Sequence, residues 1–530
     1  MHPPKPRLAR DWNRLASESD HAEILRTVRN FTLALLSAVL LVLLYPNLIF
    51  PGFGLPWLAP VALTPLLIAL ALEPRPLWRF LLGEFAGMVY WFLICYWIQF
   101  VLEVHGGMGR WGGWGTFALF CVLKALHLGL FSLLAAVLLD TRFAIPAVAA
   151  LWTGIERTHG TFGFAWLTLG NAGIDMPLPL RLAPFVGVYG ISFLFAITSA
   201  VVAFLILRRN RKNLYWLAMV PALLLLPDLP ARETPAETAL VVQPNIPAEQ
   251  EWTSESFGVE REHLITESLE SSLHGGEQLI IWPESPGPLY FYRDPRFHQE
   301  AMQLAQQSHA YFLFGTVAET QENAPLNSAV LLRPDGALVD RYDKINLVPF
   351  GEFVPKIFGF VNRITQEAGD FAPGNRIVVF PMGEQRLGVF ICYESVFPDE
   401  VRQFVKGGAN LLVNLSNDGY FGHSAAREQH LEIARMRAVE NRRWLIRSTN
   451  DGITAVIDPA GHVDERLPPY QELVEQMHFA FRSGTTFYTN YGDWFAWGCL
   501  LAAAFALVWS QRPHYEREPS RAGLPERPRP

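Results

Sequence analysis

The chain has 530 residues, of which 50% are hydrophobic and 13% aromatic, with a formal net charge of -7. Its basic residues do not collect into a stripe with interleaved aromatics, which argues against nucleic acid as a partner, and although four cysteines could make two disulfides, three of them lie in long apolar runs, which argues against a bridge. So large an apolar share over so long a chain points to the membrane.

In chain order, apolar runs occupy 31–50, 57–72, 80–102, 114–139, 143–155, 182–207 and 214–227, and another lies at 494–510. A bilayer-spanning helix needs about 20 such residues. Several runs reach that length, while 57–72, 143–155, 214–227 and 494–510 fall short. No small-x-small cleavage site follows the first run, so it does not read as a signal peptide. If all eight runs span, one face of the membrane receives Lys5, Arg7, Arg10, Arg14, Arg26, Arg29, Arg75, Arg79, Arg142, Arg208, Arg209, Arg211, Lys212 and the Arg-rich tail. The opposite loops hold only Arg110, Arg157 and Arg181. That asymmetry predicts both termini in the cytoplasm and the segment 228–493 outside. The expected organisation is a cytoplasmic segment 1–30, a seven-helix bundle 31–227, a periplasmic domain 228–493, a last helix 494–510 and a cytoplasmic tail 511–530. Glu84 and Lys124 are the charges inside the spans, marking either a pathway or a helix-packing site.

After the Pro-rich entry PDLPARETPAE, the texture changes to short β-type runs alternating with helical ones. Strands are predicted at Ala239–Asn245, Leu279–Glu284, Tyr311–Ala318, Ser328–Arg333, Arg376–Phe380, Leu387–Cys392, Leu411–Leu415, Trp444–Ser448 and Thr454–Asp458. Helices are predicted at Glu260–Ser272, Pro295–Ser308, Pro398–Lys406 and Ala425–Asn441. Pro334-Asp335-Gly336 and Pro459-Ala460-Gly461 read as hairpin turns. The alternation indicates a layered α/β domain.

Three predicted strand ends carry conspicuous polar residues, the place where reactive groups gather in α/β sheets. They are Glu284 in LIIWPESPGP, Lys344 and Glu352 in DRYDKINLVPFGEFVP, and Cys392 in GVFICYESVFP. Cys95, Cys121 and Cys499 lie in apolar runs, so Cys392 is the lone thiol in a polar region. A thiol, an amine and a carboxylate form a workable nucleophilic set: the thiolate attacks, a glutamate moves the proton, and a lysine offsets the oxyanion. Taken singly, each residue has a structural reading: a buried hydrophobe for Cys392, a helix cap for Glu284, solvated charges for Lys344 and Glu352, packing for Tyr393. Their joint occurrence at strand ends favours chemistry. The histidines show no metal-ligand spacing, and His423 and His430 read as surface residues. No Gly-rich phosphate loop precedes a helix, and no cofactor is expected.

WPES, RYDKINLVPFGEFVP and ICYES resemble the Glu, Lys and Cys blocks of the nitrilase superfamily, whose fold is an αββα sandwich. The ordered series VVQPNIPAEQEW, YWIQFVLEVHGGM, GVYGISFL, NLSNDGYFG, ARMRAVENRRWLIRSTNDGITAVID and TNYGDWF extends the resemblance along nearly the whole chain to the superfamily's membrane-bound branch, the apolipoprotein N-acyltransferases. That resemblance implies Glu284 as general base, Lys344 as transition-state stabiliser and Cys392 as nucleophile, with Trp252, Glu352, Tyr393 and Glu394 as further important positions. It implies a ping-pong reaction in which Cys392 takes an acyl chain from a phospholipid and passes it to the amine of a diacylglyceryl-cysteine apolipoprotein, in the bacterial inner membrane, with the protein acting as a monomer. LTLGNAG departs from the family's LGYSQ-like wording, and NDGYFG from NDAWFG; neither touches the three blocks. Phe350, Phe353, Ile357, Phe358 and Phe360 make FGEFVPKIFGF a candidate interfacial lid or a packed loop, and Leu289, Tyr290, Phe291 and Tyr292 pose the same choice. The same three residues would serve a membrane-tethered amidase acting on small amides. A transporter or scaffold with an inert outer domain is the reading from another class, and the intact set of three argues against it.

Overall fold

Apolar helices fill the first part of the chain and return once near its end. The computed structural model describes residues 7–161, 164–209, 211–247, 250, 252–273, 276–349, 351–353 and 371–511. Its main helices here are α1 (Arg7–Leu43), α2 (Thr64–Leu72), α3 (Pro76–Ile94), α4 (Gly109–Leu138), α5 (Ala144–Thr161) and α6 (Ala183–Ile206), with a last one, α11, at Trp494–Ser510. Among the described residues, four helices are long and apolar enough to cross a membrane: His21–Leu43, Pro76–Ile94, Gly109–Leu138 and Ala183–Ile206. The runs at Pro56–Leu72, Lys212–Leu225 and Trp494–Ser510 form shorter apolar helices, and α5 carries Glu156, Arg157 and His159 in its last turns. The run expected at 80–102 divides, because α3 ends at Ile94 and a short helix restarts at Trp97. The run at 214–227 winds mostly as 3-10 turns, with Pro221 removing a backbone donor within it. α3 and α4 pack closely: a Cβ on Gly83 would lie 2.2 Å from Ser132 Oγ and 2.3 Å from the Leu128 carbonyl, so only glycine permits this approach.

Two six-stranded sheets follow. Their strands are β1 (Glu237–Gln243), β2 (Leu279–Ile281), β3 (Tyr311–Glu319), β4 (Pro325–Leu332), β5 (Leu338–Asp343), β6 (Val379–Met382), β7 (Gln385–Ile391), β8 (Leu411–Ser416), β9 (Leu445–Thr449), β10 (Ala455–Ile457), β11 (Val463–Arg466) and β12 (Leu473–Phe479). The sheet orders are β12-β1-β2-β3-β4-β5 and β11-β10-β9-β8-β7-β6. In each sheet the three central strands run parallel, and antiparallel strands complete the edges. Alternation along β1 shows why the layers stack. Ala239 and Val241 enter the core shared with the second sheet, whereas Leu240 and Val242 face helices α7 (Ser254–Ser272) and α8 (Pro295–Ser308). Helices α9 (Pro398–Lys406) and α10 (Ala426–Asn441) cover the other sheet, completing an αββα sandwich. Helix starts are specified locally: Asp294 accepts from Arg296 N at 2.9 Å ahead of Pro295.

The sandwich docks onto the bundle chiefly through α10. Gln429 Nε2 donates to the carbonyls of Pro46 at 2.7 Å and Ile94 at 3.1 Å, and Gln429 Oε1 accepts from Trp166 Nε1 at 2.7 Å. Near the other end, Glu440 Oε1 accepts from Val188 N in α6 at 2.9 Å. These contacts are buried, so each orphaned partner costs about 1–3 kcal/mol. We expect Gln429→Ala to lower the unfolding free energy of the detergent-solubilised protein by roughly 2–4 kcal/mol. Thermal unfolding checks this, and an unchanged midpoint would remove Gln429 from the docking.

Candidate active site

Four strand ends converge where the two sheets meet. Glu284 lies three residues beyond β2, Lys344 directly follows β5, Cys392 directly follows β7, and Asn417 directly follows β8. The Glu284 segment is anchored by Trp282, which is fully buried and donates from Nε1 to Ser268 Oγ at 2.9 Å. It also rests on Gly315 of β3, whose N–H reaches the Pro283 carbonyl at 3.2 Å. A Cβ on Gly315 would stand 2.5 Å from Ser285 N and 2.8 Å from Glu284 Cα, so any larger residue displaces the carboxylate.

Lys344 is 1% exposed, and its Nζ lies 3.1 Å from Glu284 Oε1 and 2.9 Å from Glu352 Oε1. Asn327 completes the ring: its Nδ2 donates to Glu284 Oε1 and Glu352 Oε1, both at 2.7 Å. The remaining oxygens are met by backbone, Asn417 N to Glu284 Oε2 at 2.9 Å and Val348 N to Glu352 Oε2 at 2.8 Å. Burial opposes the ammonium, but the charges of Glu284, Glu352 and Cys392 outweigh it and hold the Lys344 pKa well above its ordinary value. Lys344 is therefore a permanent cation here.

Cys392 is buried and adopts φ +49°, a left-handed conformation that costs a non-glycine residue about 1–2 kcal/mol. It opens a 3-10 segment, Cys392–Val396, that turns the chain sharply off β7. Burial pushes the thiol pKa up, Glu284 pushes it further, and Lys344 and a Ser416 hydrogen bond pull it back. The resting thiol is thus protonated, and a base must take its proton before attack. Glu394 ties the segment to the Lys344 loop, accepting from Ile391 N at 2.7 Å, Ile345 N at 2.6 Å and Tyr342 Oη at 2.8 Å. Burial raises its pKa. Tyr393 points the other way: its hydroxyl exchanges hydrogen bonds with the Ala165 carbonyl and N–H, each at 3.0 Å, and so joins the neighbour of Cys392 to the bundle.

A cavity of about 780 Å³ opens over these groups, lined by Glu284, Lys344, Glu352, Cys392 and Tyr393 on the sandwich side. From the bundle side come Trp97, Phe120, Leu119, Leu123, Leu126 and Phe164, of which Leu119, Leu123 and Leu126 are also exposed on the flank of α4. Trp252 stands apart: it packs edge-on to Phe257 at 5.4 Å against the α7–α8 layer and does not line the cavity. Phe353 lines it, while Phe350, Ile357, Phe358 and Phe360 lie outside the described residues. Leu289 and Phe291 belong to the helix-layer core, leaving Tyr290 and Tyr292 at the surface. The reading of His430 as a surface residue is corrected: it is fully buried beneath Cys392. Asn327, Asn417, Asp418 and Arg447 were not singled out from sequence. NLSND offered a weak signal, since polar residues at a strand end follow the same rule that located Cys392.

Removing Lys344 leaves two buried carboxylates facing each other. We expect Lys344→Met to destabilise the sandwich by about 3–5 kcal/mol, and a second change, Glu352→Gln, to recover part of that loss. Denaturant unfolding of both variants checks the pair, and equal stability of Lys344→Met and the parent protein would contradict the geometry.

Comparison with known proteins places the chain among relatives. Two family profiles match, Apolipoprotein N-acyltransferase N-terminal domain over residues 37–201 and Carbon-nitrogen hydrolase over residues 241–476. Curated apolipoprotein N-acyltransferases are similar over most of both chains: 35% identity with that of Geobacter metallireducens over 90% of this chain and 94% of the relative, and 31% with that of Thermotoga maritima over 87% and 91%. Among solved structures, an amidase from Nesterenkonia sp. matches 47% of this chain and 92% of its own at 17% identity, with a TM-score of 0.36.

Proposed function

Because this chain belongs to the apolipoprotein N-acyltransferase family, we propose that it moves an acyl chain from a membrane phospholipid to the N-terminal amine of a diacylglyceryl-cysteine apolipoprotein, through a thioester on Cys392. The observation that carries this reading is the single cavity that joins a thiol, a fixed ammonium and a carboxylate to an apolar wall open along α4.

The chemistry divides into two halves. Glu284 takes the Cys392 proton, and the thiolate attacks the phospholipid ester carbonyl. Lys344 offsets the oxyanion, and the Tyr393 N–H, at the first turn of its 3-10 segment where no intrahelical acceptor exists, supplies a second donor. Collapse breaks the ester C–O bond, and the leaving glycerol oxygen takes the proton from Glu284, releasing a lysophospholipid. The acceptor amine then attacks the thioester, its proton passes to Glu284, and the Cys392 thiolate leaves and takes that proton back from Glu284. Glu352 keeps Lys344 in place, while Glu394 and Tyr393 hold the segment that bears the thiol. The amidase alternative requires access of water to the thioester, and the apolar lining of the cavity disfavours it.

For the membrane topology, we read all eight apolar runs as crossings, with 31–227 and 494–510 as the bundle, 1–30 and 511–530 in the cytoplasm, and 228–493 in the periplasm. The charge asymmetry of the loops supports this. One chain supplies every residue of the site, so a monomer suffices.

Incubation with phospholipid labelled in its acyl chains is expected to leave a hydroxylamine-sensitive label on the parent protein and none on Cys392→Ala, with transfer to a diacylglyceryl-cysteine peptide on chase. Equal labelling of Cys392→Ala, or turnover of small amides in place of phospholipid, defeats the reading. For topology, a cysteine placed at Glu322, exposed between β3 and β4, is expected to react with an impermeant maleimide in intact spheroplasts; labelling only after lysis would invert the orientation.

A further inference from the structure

Directly beneath Cys392 lies a closed polar network that the mechanism above does not use. His430, Asp418, Arg447, Ser395 and Ser416 are all fully buried, and none of them lines the cavity. Arg447 Nη2 lies 2.6 Å from Asp418 Oδ2 and 2.9 Å from His430 Nδ1. Asp418 Oδ1 accepts from Ser416 Oγ at 2.8 Å and stands 3.1 Å from His430 Nδ1. On its other side, His430 Nε2 is 3.1 Å from the Cys392 carbonyl and 2.8 Å from Ser395 Oγ.

The charges decide the tautomer. Asp418 and Arg447 balance one another, so no further positive charge is called for, and burial together with Arg447 pushes the imidazole pKa down. Nδ1 lies nearer to the Arg447 donor, at 2.9 Å, than to Asp418 Oδ1, at 3.1 Å, so a neutral ring that accepts there carries its hydrogen on Nε2, where Ser395 Oγ and the Cys392 carbonyl receive it. The trans peptide is planar, so the Cys392 C=O and the Tyr393 N–H point in opposite directions. A carbonyl drawn down to His430, away from the cavity, turns the Tyr393 N–H up toward it.

We propose that His430 is a positioning residue for the acyl transfer, its Nε2–H fixing the Cys392 carbonyl and thereby aiming the Tyr393 N–H at the oxyanion. The inference rests on the thioester reading above. It also accounts for the persistence of a left-handed Cys392, since such strain survives only where surrounding contacts over-determine it.

Two substitutions separate aiming from mere filling. His430→Gln places an amide nitrogen near the Nε2 position, within reach of the Cys392 carbonyl; His430→Asn places its amide at the level of Nδ1, where its oxygen can accept from Arg447 but its nitrogen cannot reach the Cys392 carbonyl. The experiment measures Cys392 acylation against phospholipid concentration, and alkylation of the same thiol by iodoacetamide, a displacement that forms no oxyanion. We expect H430N to lose roughly 100-fold in the saturating acylation rate, the loss typical of one oxyanion donor, with an unchanged half-saturating phospholipid concentration and an alkylation rate close to the parent's. H430Q is expected to retain most of the acylation rate. The proposal is overturned if H430N acylates at the parent rate, if its acylation and alkylation fall together, or if folded H430Q loses the rate as well. Should H430N not fold, the acylation rate of H430Q alone still supports or overturns the proposal. Absence of acylation in the parent protein would instead count against the thioester itself.

Discussion

The arrangement around Cys392 depends on burying one ammonium between two carboxylates. An unpaired charge in the interior is prohibitive, so Lys344 fixes the positions of Glu284 and Glu352, and Asn327 fixes all three by donating to both acids. These residues come from four separate stretches: the ends of β2 and β5, the interior of β4, and the loop after Lys344. The sheet register that brings them together is consequently held by electrostatics as well as by apolar packing. Two carboxylates against one ammonium also leave the pocket one charge negative. Burial already disfavours a thiolate there, and its charge would raise the imbalance, so the thiol rests protonated.

A second dependence runs from the site to the bundle. α10 presents Gln429 to the carbonyls of Pro46, just past α1, and Ile94, the last residue of α3, and, one residue later, His430 to the Cys392 carbonyl. Tyr393 adds a second link through Ala165. The thiol is thus braced by neighbours whose own partners lie in the helical part of the chain, and the two parts of the molecule cannot shift independently without moving the reactive peptide.

Most central strands were legible because they are apolar runs closed by turn residues. The three that escaped, β5 (LVDRYD), β11 (VDER) and β12 (LVEQMHF), lie at sheet edges and carry charges on one or both faces, as edge strands do to resist pairing. Glu284, Lys344 and Cys392 were singled out because they stand at strand ends, and the structure brings the three to one cavity. Asn327 was missed because it sits within β4, where polarity reads as a solvent-facing position. His430 was misread for a related reason. The text AREQHLEIARMRAVEN looks like a surface helix, yet Arg427, Gln429, His430, Arg437 and Glu440 are all buried, with partners that include Asp451 for Arg427, the Pro46 and Ile94 carbonyls for Gln429, Asp418 for His430 and the Val188 N–H for Glu440. Hydrophobic patterning cannot show burial of that kind, because the partners lie far away in sequence.

The contrast with a hydrolase follows from the same geometry. A thioester in a wet site is lost to water, whereas the walls above Cys392 are Trp97, Phe120, Phe164 and the leucines of α4. Such a lining excludes water in proportion to its apolar area and provides a place for an acyl chain at no added desolvation cost. Leu119, Leu123 and Leu126 belong both to that lining and to the exposed flank of the helix, so the cavity is continuous with the surface that faces lipid in a membrane reading of α4. On the proposed reading, an acyl chain passes from bilayer to thiol along this largely apolar wall. The α4 wall also carries Thr116, Lys124 and His127, while Glu284, Lys344, Glu352 and Cys392 lie on the sandwich side, where the proposed reaction meets the ester carbonyl.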